Sequence, residues 1–260
     1  MPQASNLRIL VTNDDGINAP GLKVMENIAR ALSDDVWVVA PEVEQSGASH
    51  SLSIRTPIRF HQAGEKRFVV AGTPTDCVIT ATRVIIPEKV DLVLSGVNRG
   101  PNIADDVTHS GTVAAAMEGA LCGIRSVAFS MAFDFDAENP TYHWQTPEAF
   151  APGIVRKLLE QPESVDLLYN VNFPDCTPEN VKGIKCVAQG KHKLDKAMSR
   201  VDDPDGRPYY WVHWADRGAH PRRPDVDIHW LPENYVTVTP LCLDLTHYAT
   251  LASLKQIIES

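Results

Sequence analysis

The stretch LRILVTNDDGINAPGLKVMENIARALSDDVWVVA, residues 7–40, decides the fold. Leu7–Val11 and Val36–Ala40 are short apolar runs rich in β-formers with no polar alternation, the pattern of parallel strands buried on both faces. Between them Leu22, Met25, Ile28, Ala29 and Leu32 recur at helical spacing. Pro20 suits the first turn of that helix, and Ser33-Asp34-Asp35 ends it. Strand, helix and strand in this order predict a parallel pair joined by a right-handed crossover. The odd feature is Asp14-Asp15, where the first strand empties. A regular strand sends neighbouring side chains to opposite faces, so the pair reaches one place only if the chain bends. Gly16 permits such a bend. Two readings stand: an Asp-Gly turn with a solvated acidic neighbour, or the start of an all-oxygen metal site suited to Mg²⁺ or Mn²⁺.

The same alternation continues outward. FVVAG (68–72), VDLVLSGV (90–97), SVAFSM (126–131) and LLYNVNF (167–173) read as further strands. SGTVAAAMEGALCG (110–123) reads as a helix with Ser110 as N-cap, Gly123 as its stop and Val113, Ala116, Met117, Ala120 and Leu121 as its apolar stripe. TPEAFAPGIVRKLLEQ (146–161) gives another. The expected fold is α/β: a Rossmann-like, doubly wound, mostly parallel sheet covered on both faces. From about 191 the chain turns polar and rich in Pro and Gly, with DPDG (203–206) beside the aromatic run YYWVHW (209–214). The expected organisation is a core over 1–190, a hairpin excursion over 191–231, and a late strand and helix over 232–260 that complete the core or exchange with another copy.

Composition narrows the partners. A net charge of −9 opposes a broad footprint on DNA or RNA, which needs excess Lys and Arg, and opposes adhesion to anionic membranes. The one short basic cluster, HPRRP (220–224), reads as solvated surface. The 5 cysteines (77, 122, 176, 186, 242) are widely spaced without a Cys-x-x-Cys, so they read as buried thiols in a reducing compartment rather than a zinc or redox motif. No signal-peptide pattern and no apolar run of ~18 residues occurs, so the cytoplasm is the expected location.

Doubly wound sheets bind ligands beyond the carboxyl ends of their strands, so the segment at each strand exit matters. The first strand runs into NDDG, the second into PEVEQSGASHS, the third into GTPTD and the fourth into SGVNRGPNI. THSGTV opens the helix before the fifth. Ser46 is either a loop serine or a polar group beside the aspartates, and Asn98 either a turn asparagine or the same. Ser110-Gly111-Thr112 is either a plain helix cap or an anion site, since free amides and the helix dipole favour negative charge there. Gly72–Thr75 reads as a turn. Among 9 histidines no paired-His metal spacing occurs. His109, beside Ser110, is the best placed for proton transfer, and His50 is ambiguous.

VTNDDGINAPG, GTPTDCV, SGVNRGPN and HSGTVAAAMEGA, in that order, closely resemble the SurE family of metal-dependent acid phosphatases and nucleotidases. The resemblance is specific from Leu7 to Ala120 and looser beyond, covering most of the chain. It implies a Rossmann-like core and hydrolysis of nucleoside 5′- and 3′-monophosphates. It places one divalent cation on Asp14, Asp15, Ser46 and Asn98, and phosphate on Asn98, Ser110, Gly111 and Thr112. It also implies a homodimer or homotetramer built with the hairpin around Tyr209 to Trp214 and an exchanged C-terminal segment. Ala104-Asp105 departs from the family's glycine-containing version, and the leader before Leu7 is additional and expected to be disordered.

The expected chemistry is attack of metal-activated water on a phosphomonoester, with Asp14 or Asp15 as base or nucleophile. Two rival readings fit less well. A receiver-like regulatory domain needs an aspartate at the third strand's end and a lysine after the fifth, but Asp76 lies four residues past Gly72 and SVAFSMAFDFD carries no lysine. A non-catalytic nucleotide-binding module is opposed by the absence of both GxGxxG after the first strand and a P-loop. Adjacent aspartates also exclude the Asp-x-Asp spacing of haloacid-dehalogenase-type phosphatases.

Overall fold

The structure is a computed structural model of the 260-residue chain, and it describes residues 7–135, 137–162, 166–191, 196–214 and 223–259. The leader and most of the 220–224 basic cluster lie outside the described residues.

Residues 7–40 fold as their pattern requires. Strand β1 (Ile9–Thr12) is wholly buried, helix α1 (Pro20–Arg30) carries Pro20 in its first turn, and β2 (Val36–Pro41) returns parallel to β1. Next come β3 (Arg59–Gly64), β4 (Arg67–Ala71), α2 (Pro74–Thr80), β5 (Leu92–Arg99), α3 (Gly111–Leu121), β6 (Arg125–Met131), α4 (Gln145–Leu159) and β7 (Leu167–Phe173). The chain ends with β8 (Gly183–Cys186), the hairpin β9 (Lys196–Asp202) and β10 (Pro208–Trp214), the single turn α5 (Asp227–Trp230), β11 (Tyr235–Cys242) and α6 (Tyr248–Ile258).

One nine-stranded sheet has the order β3-β4-β2-β1-β5-β6-β7-β11-β8. From β4 to β7 its strands are parallel, and β3 and β11 each pair antiparallel with their inner neighbours. Helices α1 and α4 pack together over one face around Leu22, Met25, Ile28, Phe129 and Phe173, while α2 and α3 cover the other around Cys77, Val78, Val93 and Ala115. The chain leaves β1 toward β2 and β4, then crosses back to β5 on β1's other side. That reversal is the switch point at which doubly wound sheets open a ligand crevice.

Some local readings are corrected. The fourth expected strand is shifted: β5 begins at Leu92 and continues through Arg99, so Asn98 lies in the strand rather than beyond it. Edge strands β3 and β8 are additional; every residue of β3 is exposed, so it lacks the apolar signal of a core strand. In α3, Leu121 is 56% exposed while Ala114 and Ala115 are buried, because small residues let this helix bury more than one stripe. The cysteines are all free thiols, but only Cys77 and Cys176 are buried; Cys186 and Cys242 sit on the strands of the β8–β11 edge and are exposed. The hairpin forms a separate two-stranded sheet turned by Asp203–Gly206, where the amide of Gly206 donates to the Asp203 carbonyl.

Candidate active site

Asp14 and Asp15 come directly after β1 at the switch point. Their turn is tightly specified. Asn13 Nδ2 donates to the Gly16 carbonyl at 3.0 Å, the amide of Ile17 donates to Pro41 at the end of β2 at 2.8 Å, and Gly16 takes φ +98°. A side chain rarely adopts that backbone, so the glycine makes the bend. The two carboxylates consequently meet different partners. Asp14 is 4% exposed, and its Oδ1 accepts from the Thr112 hydroxyl at 2.5 Å. Asp15 accepts from the Arg99 amide at 3.3 Å, across the β1–β5 gap.

Both carboxyls are shifted upward. Burial pushes Asp14 up to about 6, against the Thr112 hydrogen bond, and the charge of Asp15 adds to the rise. Burial likewise raises Asp15; the Arg99 amide and guanidinium oppose it and Glu44 reinforces it.

The start of α3 closes the site from the other face of the sheet. Ser110 Oγ accepts from the Val113 amide at 3.0 Å, as an N-cap should. This uses a lone pair and leaves the hydroxyl proton to donate elsewhere. The first intrahelical bond runs from Ala114 to Ser110 at 3.0 Å, so the amides of Gly111 and Thr112 precede the helical ladder. Gly111 is fixed by proximity: a Cβ there would lie 2.8 Å from Asp14 Cβ and 2.9 Å from its Oδ2.

The remaining expected residues are placed less uniformly. Asn98 Nδ2 donates to the Gly100 carbonyl at 2.8 Å, which leaves Oδ1 as the atom that can ligate. The loop carrying Ser46 is anchored to the site by the Gln45 amide, which donates to the Asp14 carbonyl at 2.8 Å. Ser46 itself is exposed and donates to Glu44 at 2.8 Å, so its hydroxyl is turned to that side chain and not to the aspartates. His50 Nε2 lies 3.0 Å from Glu118 on α3, tying the same loop to the helix. His109 is exposed at the end of the 3₁₀ turn Ala104–Thr108.

Whether a cation suits this arrangement turns on the charges. Among the described residues no Lys, Arg or His forms an ion pair with Asp14 or Asp15, and no cluster of three or more His, Cys, Asp or Glu occurs. A protein-only cage is therefore absent there, and two neighbouring, largely buried carboxylates lack an ion-paired cation. Buried charges are normally paired or bound to metal. Two carboxylates plus amide and hydroxyl oxygens form an all-oxygen set, which fits a hard divalent cation that keeps several waters.

Beside Asp15 lies a cavity of about 460 Å³, a size typical of small-molecule sites. Its lining includes Asp15, Pro20, Val43, Arg99, Tyr142 and Trp144, and none of residues 110–112. The Tyr142 and Trp144 rings are stacked with centroids 5.6 Å apart. Sequence reasoning missed this wall, because the segment before α4 carries no periodic signal. It also missed Asn102, whose amide, carbonyl and Nδ2 are bonded to Asn170, Asn172 and Ser130, clamping the loop between β5 and α3 onto the sheet. The asparagines within the strand LLYNVNF were its signal, being polar groups in an otherwise buried run.

Comparison with known proteins places this arrangement among relatives. The family described as Survival protein SurE matches residues 9–196. A 5′-nucleotidase SurE of Brucella anthropi is 49% identical over 249 residues, spanning 96% of each chain. The 5′-nucleotidase SurE of Brucella canis is 50% identical over 248 residues, 95% of this chain and 97% of that one. The crystal structure of a SurE protein from Aquifex aeolicus superposes with a TM-score of 0.81 at 38% identity, covering 96% of this chain and 98% of that one.

Proposed function

The chain belongs to the SurE family, and from that premise we propose that it is a nucleotidase that hydrolyses nucleoside 5′- and 3′-monophosphates with one divalent cation, Mg²⁺ or Mn²⁺. The observation that carries this reading is the buried Asp14 carboxylate. It is held by Thr112 at the α3 N-terminus, beside Asp15, with no ion-pair partner among the described residues. Asp14, Asp15 and Asn98 Oδ1 would hold the cation, and Ser46 would join them by leaving Glu44. Bound there, the cation would polarise a phosphate oxygen and lower the pKa of a water ligand.

The protein's own groups supply the rest. The Gly111 and Thr112 amides and the free proton of Ser110 are donors for phosphate oxygens, and the helix dipole favours the negative charge. The Thr112 hydroxyl, whose proton points to Asp14, orients that carboxylate. One of the two aspartates takes the proton of the attacking water. The water oxygen bonds to phosphorus as the ester P–O bond breaks, and the nucleoside leaves with the former ester oxygen, which takes up a proton from that carboxyl or from solvent. Positioning and electrostatics are most of what phosphoryl transfer needs.

Five free thiols and the absence, among the described residues, of a helix able to cross a membrane accord with the cytoplasm. The exposed apolar hairpin and C-terminal helix accord with a homodimer or homotetramer. The test is phosphate release from AMP with Mn²⁺, Mg²⁺ or EDTA. The expected result is cation-dependent release that falls at least ~100-fold in Asp14→Asn and Asp15→Asn. Undiminished release in EDTA or in these variants would overturn the reading. So would a trapped phosphoaspartate, as regards attack by water.

A further inference from the structure

The cavity beside Asp15 is not used by the chemistry above. Its wall is an aromatic row. The Phe133 and Phe135 ring centroids are 4.0 Å apart, Phe133 and Tyr142 are 5.2 Å apart, and Tyr142 stacks on Trp144 at 5.6 Å with 20° between planes. The row starts at the loop after β5, where a Cβ on Gly100 would lie 3.7 Å from both phenylalanine rings. It ends against α1, where Trp144 Cη2 would lie 3.3 Å from a Cβ on Gly21. Tyr142 is thus held against Phe133, and Trp144 against Gly21, which lines the cavity with it. The rest of the lining is unlike a phosphate site. It carries Glu42, Glu44 and Asp15 against one Arg99, whose guanidinium lies 4.0 Å from Glu44. Such a rim repels a second phosphate group and offers acceptors to the N–H groups of a neutral ligand.

We propose that this cavity binds the nucleobase of the substrate, stacked on Trp144 beside Tyr142, while the phosphate lies across Asp15 at the α3 turn. Asp15 belongs to both compartments, so a single nucleotide spans them without leaving the strand ends. Residues 110–112 contribute nothing to the cavity lining, and Tyr142 packs with Phe133 and Trp144. The nucleobase and phosphate sites are therefore separable by mutation. The cavity selects monophosphates with a planar, uncharged base over small or multiply charged phosphate esters.

This inference rests on the phosphomonoesterase reading, and the test separates the two. Specificity constants are measured for AMP and for glycerol 2-phosphate, which has no ring to stack. Base–aromatic stacking is worth ~1–3 kcal/mol, so in Trp144→Ala the AMP to glycerol 2-phosphate ratio of kcat/KM should fall ~10-fold or more, chiefly through KM for AMP. Trp144→Phe should keep most of the ratio. Val43→Trp, at an exposed lining position, should lower it by filling the cavity, and serves if Trp144→Ala does not fold. A fall of both substrates by the same factor, or an intact ratio in Trp144→Ala and Val43→Trp, overturns the assignment. Adenosine binding, followed by calorimetry, supplies a readout without hydrolysis. It should persist in Asp14→Asn and be lost in Trp144→Ala; if adenosine binds while no variant or wild-type protein releases phosphate, the reaction and not the cavity is misassigned.

Discussion

Among single residues, Asp14 is the group that the fold alone would reject. It is 4% exposed and its carboxyl is raised to about 6 chiefly by burial. A folded value above the ordinary 3.8 means that proton binding stabilises the native state: the contribution is fully present below about pH 4 and is lost as pH rises through 6. In metal-free protein, therefore, ionised Asp14 costs ~3 kcal/mol at neutral pH. Asp14→Asn should raise the melting temperature in EDTA at pH 8 by several degrees and much less at pH 4, while activity disappears. Equal melting curves at pH 8 would mean the carboxyl is not a stored cost. Ala104 is the second residue whose backbone makes a prediction. It holds φ +51° and is fully buried, with its amide donating to Asp227 at 3.0 Å and its carbonyl accepting from Gln189 at 2.8 Å. The left-handed backbone costs an alanine ~1–2 kcal/mol, and a glycine there costs ~0.5–1 kcal/mol through the unfolded chain. Ala104→Gly should accordingly gain up to ~1 kcal/mol in urea unfolding, and a β-branched Ala104→Val should lose more than that.

Among the elements, the first turn of α3 decides whether the site is assembled. Its N-terminus meets Asp14 so closely that a Cβ on Gly111 would lie 2.8 Å from Asp14 Cβ, with Pro74 Cγ at 3.2 Å behind it. Neither contact can yield easily, one being the carboxylate stem and the other a ring at the start of α2. Gly111→Ala should therefore lower kcat/KM ~100-fold, since displacements near 1 Å cost that much, with a smaller loss of ~1–3 kcal/mol in stability from overpacking. Full activity in Gly111→Ala would remove α3 from the site. This contact also marks what sequence could reveal. The β1–α1–β2 unit, Ser110 as N-cap and the placing of NDDG at a strand exit follow from local patterns in apolar spacing and turn chemistry, and the structure reproduces them. The approach of Gly111 to Asp14 joins positions nearly a hundred residues apart, as does the Thr112 hydrogen bond, and no local pattern encodes such a distance. Edge strand β3 stayed hidden for a different reason: exposed on every residue, it has no buried face to impose alternation. The aromatic wall was hidden because its rings sit in irregular backbone before α4.

Over the molecule as a whole, the described residues leave part of their apolar surface exposed. The β9–β10 ribbon is a separate two-stranded sheet, and such a ribbon is marginal by itself in water. Tyr210, Trp211 and Val212 on β10 are 53%, 63% and 65% exposed. Consecutive strand residues face opposite sides, so both faces of the ribbon present apolar groups. The C-terminal end repeats the pattern. No residue of α6 is buried, Ile258 is 75% exposed, and Leu245 just before the helix is 93% exposed. An 11-residue helix with no buried face lies near the limit of what persists alone, and patches of this kind on an otherwise acidic protein mark surfaces that meet a partner. With a net charge of −9 opposing nucleic acid and anionic lipid, a second copy of the chain, as proposed above, would supply matching apolar surface. Sedimentation or light scattering at micromolar concentration should give a dimer or tetramer. Trp211→Asp should shift it to a smaller species, and removal of residues after Asp244 should do the same with a lower melting temperature. Both variants should keep the β1–β5 switch point and its aspartates, because neither the ribbon nor α6 contributes to them. A wild-type chain that sediments as a monomer would leave those surfaces without the partner argued for them.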